Sequence, residues 1–235
     1  MDIAAHVASL RARIATACNR VGRDPASVTL MGVSKKQSPE AVRAALDAGV
    51  TCFGENRVQE AKAKIPLCPG RARWQMIGHL QSNKCRDAVA LFSMVQCVDS
   101  LALAQELNRQ CEKAAKILPI LLEVNVAGEA SKFGYRPPAL LSEFKAVAAL
   151  PRLEVHGLMT IAPYTPTPER VRPVFRGLRE LRTECEQLLG APLPVLSMGM
   201  SGDFEVAVEE GATLVRIGTA LFGERPKKAE TETET

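Results

Sequence analysis

Apolar residues recur along this chain in two rhythms that take turns. Residues 3–20 place Ile3, Val7, Leu10, Ile14, Ala17 and Cys18 three or four positions apart. Arg11, Arg13 and Arg20 lie off that face, so the segment reads as an amphipathic helix, ended by Gly22. Residues 28–33 are then a short aliphatic run, too brief for a helix, and predict a buried strand. The run stops at Ser34 and two lysines follow. Ser38-Pro39-Glu40 reads as a helix start, with Ser38 as N-cap and Pro39 in the first turn. The exchange then repeats. Strands are predicted at 50–53, 73–77, 92–98, 117–126, 153–159, 194–198 and 213–217. Helical patterns fall between them, including 84–91, 138–150 and a short helix that Gly199-Met200-Ser201-Gly202 opens and Glu210 ends.

Strictly alternating strands and helices, with aliphatic strands, imply a parallel sheet. Eight such units favour an α/β fold closed into a (β/α)8 TIM barrel over an open doubly wound sheet, with one extra helix at the start. No shift in composition marks a second domain. Residues 1–225 are therefore read as a single domain, and the polar, Glu/Thr-alternating stretch 226–235 as a disordered tail.

Composition narrows the functions. The 235 residues are 46% hydrophobic and 24% charged, as in one globular domain. A net charge of +4 suits a small anionic ligand and is too weak for a nucleic-acid surface. Seven scattered cysteines, with no C-x-x-C spacing, read as reduced core residues of a cytoplasmic protein. Asp2 and His6 interrupt any leader-like start, no apolar run approaches a membrane span, and no metal-ligand spacing occurs.

On the predicted barrel, the unusual polar groups follow strands, at the C-terminal face where barrel sites lie. Lys35 follows the first strand, Asn56 the second, His79 the third and Lys132 the fifth; Ser201 follows the seventh and Gly218-Thr219 the eighth. Taken singly, each has a plain reading: a solvated lysine pair, a helix cap, a turn. Together, glycine amides and hydroxyls after strands seven and eight describe a phosphate anchor. They face a lysine whose partial desolvation would lower its pKa and make its amine a trap for an aldehyde. Pyridoxal 5′-phosphate makes that pair of demands. His6 and His156 read as packed or surface histidines, His79 as facing the mouth or not with equal weight. Lys132 reads as a solvated loop lysine ahead of a second aldehyde or anion contact, and Lys227 and Lys228 as a surface pair.

Several stretches carry a resemblance. They are Val33-Ser34-Lys35, Phe53-Gly54-Glu55-Asn56 with Val58-Gln59-Glu60, residues 74–84 (W-Q-M-I-G-H-L-Q-S-N-K), Ser131-Lys132, His156-Gly157-Leu158-Met159-Thr160, residues 196–201 and residues 215–219. Over nearly all of residues 5–223 the chain resembles the pyridoxal phosphate homeostasis protein family (the YggS/PROSC family). The resemblance implies the barrel of the alanine racemase N-terminal domain and a Schiff base on Lys35, not Lys36. It further implies that Ser201, Gly218 and Thr219 hold the phosphate, that Asn56 lies beside the ring, and that Arg216 approaches the pyridine nitrogen. A cation there cannot take the ring proton, which fits a carrier better than a carbanion catalyst. The chain departs from the family pattern at Lys36-Gln37-Ser38-Pro39, at Arg57 where tyrosine is usual and at Gln75 where histidine is common.

The function implied is a non-catalytic, cytoplasmic, monomeric protein that takes up pyridoxal 5′-phosphate and releases it to apo-enzymes through transient contact, away from nucleic acid and membranes. The alternative is an amino-acid racemase-like enzyme on the same barrel. Alanine racemase takes a tyrosine base from a second domain, whereas this sequence stops after the eighth strand and holds only Tyr135 and Tyr164. A cofactor-free phosphate-sugar enzyme is a third, weaker reading.

Overall fold

A computed structural model describes residues 2–68 and 70–223. Its strands are β1 (Thr29–Val33), β2 (Cys52–Glu55), β3 (Arg73–Met76), β4 (Met94–Val98), β5 (Leu118–Glu123), β6 (Leu153–Met159), β7 (Val195–Ser197) and β8 (Leu214–Ile217). They form a closed barrel in sequence order, every neighbouring pair parallel, with β8 returning to β1. Helices α1 (Ile3–Arg20), α2 (Pro39–Asp47), α3 (Val58–Lys64), α4 (Cys85–Leu91), α5 (Leu101–Lys113), α6 (Pro137–Ala148), α7 (Arg172–Leu189), α8 (Phe204–Glu209) and α9 (Thr219–Phe222) surround it. Helix α1 is the extra one: its buried face matches the predicted stripe and packs on α2, α8 and α9. The predicted tail and the Lys227–Lys228 pair lie outside the described residues.

Period-two alternation along the strands separates two apolar environments. Phe53, Trp74, Met76, Val95, Cys97, Leu196, Val215 and Ile217 belong to the main core beneath the helices. Met31, Cys52, Ile77 and Leu214 form a separate cluster inside the barrel. Six cysteines are buried and Cys68 half-buried, all as free thiols. Among the described residues no helix is long and apolar enough to cross a membrane.

Several edges differ from the sequence expectation. Strand β2 continues through Glu55, because Gly54 and Glu55 still pair with Gln75 and Met76 of β3. Strand β5 ends at Glu123 rather than 126, where Val124 is drawn into a bridge with Tyr135. Residues 82–84 form a 3₁₀ turn ahead of α4. Helix α8 starts at Phe204, so residues 199–203 are a turn: the Asp203 carboxylate accepts from the Met200 N–H (2.6 Å) and the Phe204 N–H donates to the Met200 carbonyl (2.9 Å).

Candidate cofactor site

Local sequence explains how the loop after β1 presents its first lysine. The Ser34 N–H still pairs with the Gly54 carbonyl (3.1 Å) and the Gln37 N–H closes a turn on the Ser34 carbonyl (2.9 Å). The Ser38 hydroxyl caps α2 by accepting from the Ala41 N–H (3.3 Å), with Pro39 in the first turn, as the pattern predicts. Within that turn Lys36 takes a left-handed conformation (φ 62°) and is exposed, while Lys35 is half-buried and lines a cavity at the C-terminal mouth.

That cavity, of about 280 Å³, gathers the predicted residues Lys35, Asn56, Ser201, Arg216, Gly218 and Thr219. Val33, Ile77, Ile161, Tyr164, Met200 and Gly202 complete its wall. Ser201 does not cap α8. Its hydroxyl instead accepts from the Ala220 N–H of α9 (3.2 Å), tying the loop after β7 to the turn after β8. A Cβ at Gly202 would meet nothing within 4 Å, and one at Gly218 would make only an ordinary 3.7 Å contact with Val33. The fold itself does not demand glycine at either place. The open space suits an anion approached closely by backbone amides. The Asn56 side-chain oxygen is buried without a hydrogen-bond partner in the same wall. An anion cradle, an amine and an unused acceptor therefore fit pyridoxal 5′-phosphate.

Beneath the cavity a polar layer crosses the barrel interior. Arg216 donates to the Ser197 hydroxyl (2.8 Å) and to the Thr160 carbonyl (2.8 Å). Ser197 donates to the Gln96 side-chain oxygen (2.6 Å), and the Gln96 amide donates to Gln75. Burial pulls the Arg216 guanidinium down to about 10, against the opposing pull of Glu123 and Asp203, so it stays a cation at neutral pH. Sequence reasoning missed Gln96 and Ser197 as members of this layer, and also Glu55 and Lys64 behind the lysine loop. For Gln96, Ser197 and Glu55 the signal is a polar residue set into an otherwise apolar strand; Lys64, at the end of α3, carries no such signal.

The remaining candidates lie beside the cavity. Lys132 is not a solvated loop lysine: its ammonium pairs with Glu129 (2.7 Å) and donates to the Ala162 carbonyl (3.1 Å). It lines a neighbouring cavity of about 180 Å³ with Glu123, Asn125 and Phe133, which shares Ile161 with the first. His79 stacks on Phe133 (ring centroids 3.7 Å apart), lies 3.5 Å from Asp99, and lines an adjoining groove rather than the Lys35 cavity. His6 packs against the Leu221 carbonyl (3.0 Å), and His156 pairs with Glu154 (3.2 Å).

Glu123 gives the site a pH signature. Burial, helped by Asp99 and opposed by Arg216, pushes its carboxyl up to about 7. An unfolded glutamate titrates near ~4.3, so between these values the native state binds more protons, and stability falls as pH rises through that window. Glu123→Gln removes the cost. Urea unfolding is expected to show the variant more stable than wild type by about 2–4 kcal/mol at about pH 8, and equal to it at about pH 3, below both values.

Comparison with known proteins places this geometry. Residues 5–226 match the family described as alanine racemase, N-terminal domain. A pyridoxal phosphate homeostasis protein of Aquifex aeolicus is 46% identical over 214 residues, covering 91% of this chain and 94% of its own. One from Pseudomonas aeruginosa is 46% identical over 226 residues, covering 95% and 96%. The chain belongs to the pyridoxal phosphate homeostasis protein family. Among solved relatives in structure, PipY of Synechococcus elongatus PCC7942, determined with PLP bound, is 39% identical with a TM-score of 0.83, covering 94% of this chain and all of that one. An alanine racemase of Clostridium difficile shares the fold alone, at 13% identity and a TM-score of 0.71, covering 95% of this chain and 58% of its own.

Proposed function

We propose that this chain binds pyridoxal 5′-phosphate through Lys35, shields it, and releases it to apo-enzymes, acting as a cytoplasmic monomer without a reaction of its own. The observation that carries the reading is one cavity lined by Lys35, by the glycine and hydroxyl cradle of residues 201, 202, 218 and 219, and by the buried Arg216. The bound structure of PipY and the homeostasis name of the relatives support it. Free thiols throughout the fold fit a reducing compartment.

When bound, the cofactor supplies an aldehyde that condenses with a primary amine and loses water. The chain's residues do the rest. Ser201 and Thr219 offer hydroxyl donors, and the backbone between them offers amides, for a dianion. Asn56 offers an acceptor beside the ring. Arg216 keeps its protons, so the ring nitrogen it would face stays unprotonated and withdraws electrons weakly. A site so built holds an aldehyde without activating an amino acid strongly.

The experiment is to load the protein, reduce it with borohydride and map the modified peptide. Label on Lys35 is expected; label on Lys36 alone, or none, overturns the proposal. Gly202→Ala tests the cradle separately. A methyl group projecting into the open space is expected to leave the unfolding midpoint at wild type and weaken cofactor binding about tenfold, the equivalent of about 1.4 kcal/mol. The racemase-like reading keeps one observation: Tyr164, 95% exposed, stands at the cavity wall. Tyr135 is buried and donates to Glu143 (3.1 Å). Amino-acid racemisation that is present in wild type and lost in Tyr164→Phe would replace the carrier reading with that enzyme.

A further inference from the structure

Behind the lysine loop lies a charge cluster that the cavity itself does not use. The Lys64 side chain, 5% exposed, ends on three acceptors: the Ser34 carbonyl (2.6 Å), Glu55 (2.8 Å) and Glu60 (2.8 Å). An ammonium has three protons, and each has a partner here. Glu55, fully buried on β2, also accepts from the Ser34 hydroxyl (2.7 Å). Glu60 also accepts from the backbone N–H of Lys36, the left-handed residue of the turn. The cluster thus grips the residues on both sides of Lys35, Ser34 by carbonyl and hydroxyl and Lys36 by its amide.

Its cost shows that it is not incidental packing. Removing an ammonium and a carboxylate from water is expensive, and such a pair gains little stability over apolar residues of the same volume. A left-handed non-glycine residue adds backbone strain. Glu55 keeps a second oxygen buried with no partner. Strain and unsatisfied groups of this kind persist where the surroundings over-determine a geometry. The geometry fixed here is the direction in which consecutive lysines leave the turn, one toward the cavity and one toward solvent.

We infer that Lys64, with Glu55 and Glu60, is a positioning residue for Lys35: it locks the loop so that the Lys35 amine meets the cofactor aldehyde and Lys36 cannot. The inference rests on the Lys35 reading above. In the step concerned, the amine nitrogen bonds to the aldehyde carbon, and the carbonyl oxygen leaves as water with the two amine hydrogens. Misplacement of the nitrogen therefore slows capture without removing the phosphate cradle.

The test compares wild type, Lys64→Met and Lys64→Arg as folded full-length chains. Wild type is first trapped with borohydride; absence of label on Lys35 there refutes the Lys35 reading itself, independently of Lys64. Two quantities are then measured: the rate of covalent capture of pyridoxal 5′-phosphate, and the affinity for pyridoxine 5′-phosphate, which has an alcohol in place of the aldehyde. Lys64→Met is expected to slow capture on the order of a hundredfold while the analogue binds as in wild type, and Lys64→Arg to recover most of the rate. Capture at the wild-type rate, or loss of analogue affinity by the same factor, overturns the inference. Should Lys64→Met fail to fold, Glu60→Ala, at a less buried site, carries the same comparison: slowed capture with unchanged analogue affinity supports positioning, and unchanged capture overturns it.

Discussion

Lys35→Ala is expected to take up no covalent cofactor at all: no visible imine absorbance, no label after borohydride, and release of all bound cofactor on gel filtration. The reason is chemical. Among the residues that line the cavity, Lys35 carries the one primary amine; the other cation there, Arg216, is a guanidinium committed to Ser197 and the Thr160 carbonyl. Lys132, a primary amine nearby, is held by Glu129 and two carbonyls in the next cavity. Phosphate-dependent affinity is expected to survive, because the cradle lies on the loops after β7 and β8 and not on the loop of β1. Lys36→Gly serves as the control. It removes an exposed lysine and relieves a left-handed residue, so labelling of Lys35 is expected to remain as in wild type. Label persisting in Lys35→Ala, at Lys36 or Lys132, is the result that would move the site.

The second large effect concerns the fold. Gly157 sits in β6 at a register shift against β5, with φ 156°, and a Cβ there would fall 1.8 Å from the Val195 carbonyl oxygen. The obstacle is backbone of the neighbouring strand β7, which cannot swing aside as a side chain does. Gly157→Ala is expected to cost about 4 kcal/mol or more, most of a small domain's stability, and to leave little folded protein. Gly22→Ala is the comparison. Its left-handed φ of 66° is strained for alanine, but no atom lies within 4 Å of the added carbon, so about 1 kcal/mol is expected from urea unfolding. Equal losses in the two variants would show that backbone conformation, and not the β6–β7 collision, makes glycine necessary at 157.

Much of this was written in the chain. The buried face of α1 repeats the predicted stripe residue for residue, β6 falls on its predicted span, and Ser38 caps α2 as its neighbours require. Such features rest on local periodicity and capping chemistry, which sequence carries directly. Strand ends were less legible. A glutamate at 55 reads as the end of a strand, and only pairing with Met76 and the ammonium of Lys64 keeps it in one. Lys64 itself looks like the solvent-facing end of an i,i+4 pair with Glu60, and its burial depends on what β2 places beneath it. Ser201 invites the reading of a helix cap, yet its partner is an amide 19 residues later. The six candidate residues were legible as a set because five follow a strand and Arg216 lies near the end of β8, so barrel closure brings them to one mouth. The charged support behind them was not, because it depends on which side chains closure encloses.

The polar layer inside the barrel has a sense of direction. Arginine can only donate, so the Ser197 hydroxyl, already accepting from Arg216, spends its single proton on Gln96. Gln96, accepting with its oxygen, must donate with its nitrogen, and Gln75 must receive. Each link is thereby set by the one before, and the freedom of an amide to flip is lost at both glutamines. Position 75 thus obeys a simple rule of exchange. A residue with a lone pair to offer, such as glutamine or a neutral histidine, completes the series; a lysine or arginine would set two donors against each other and break it.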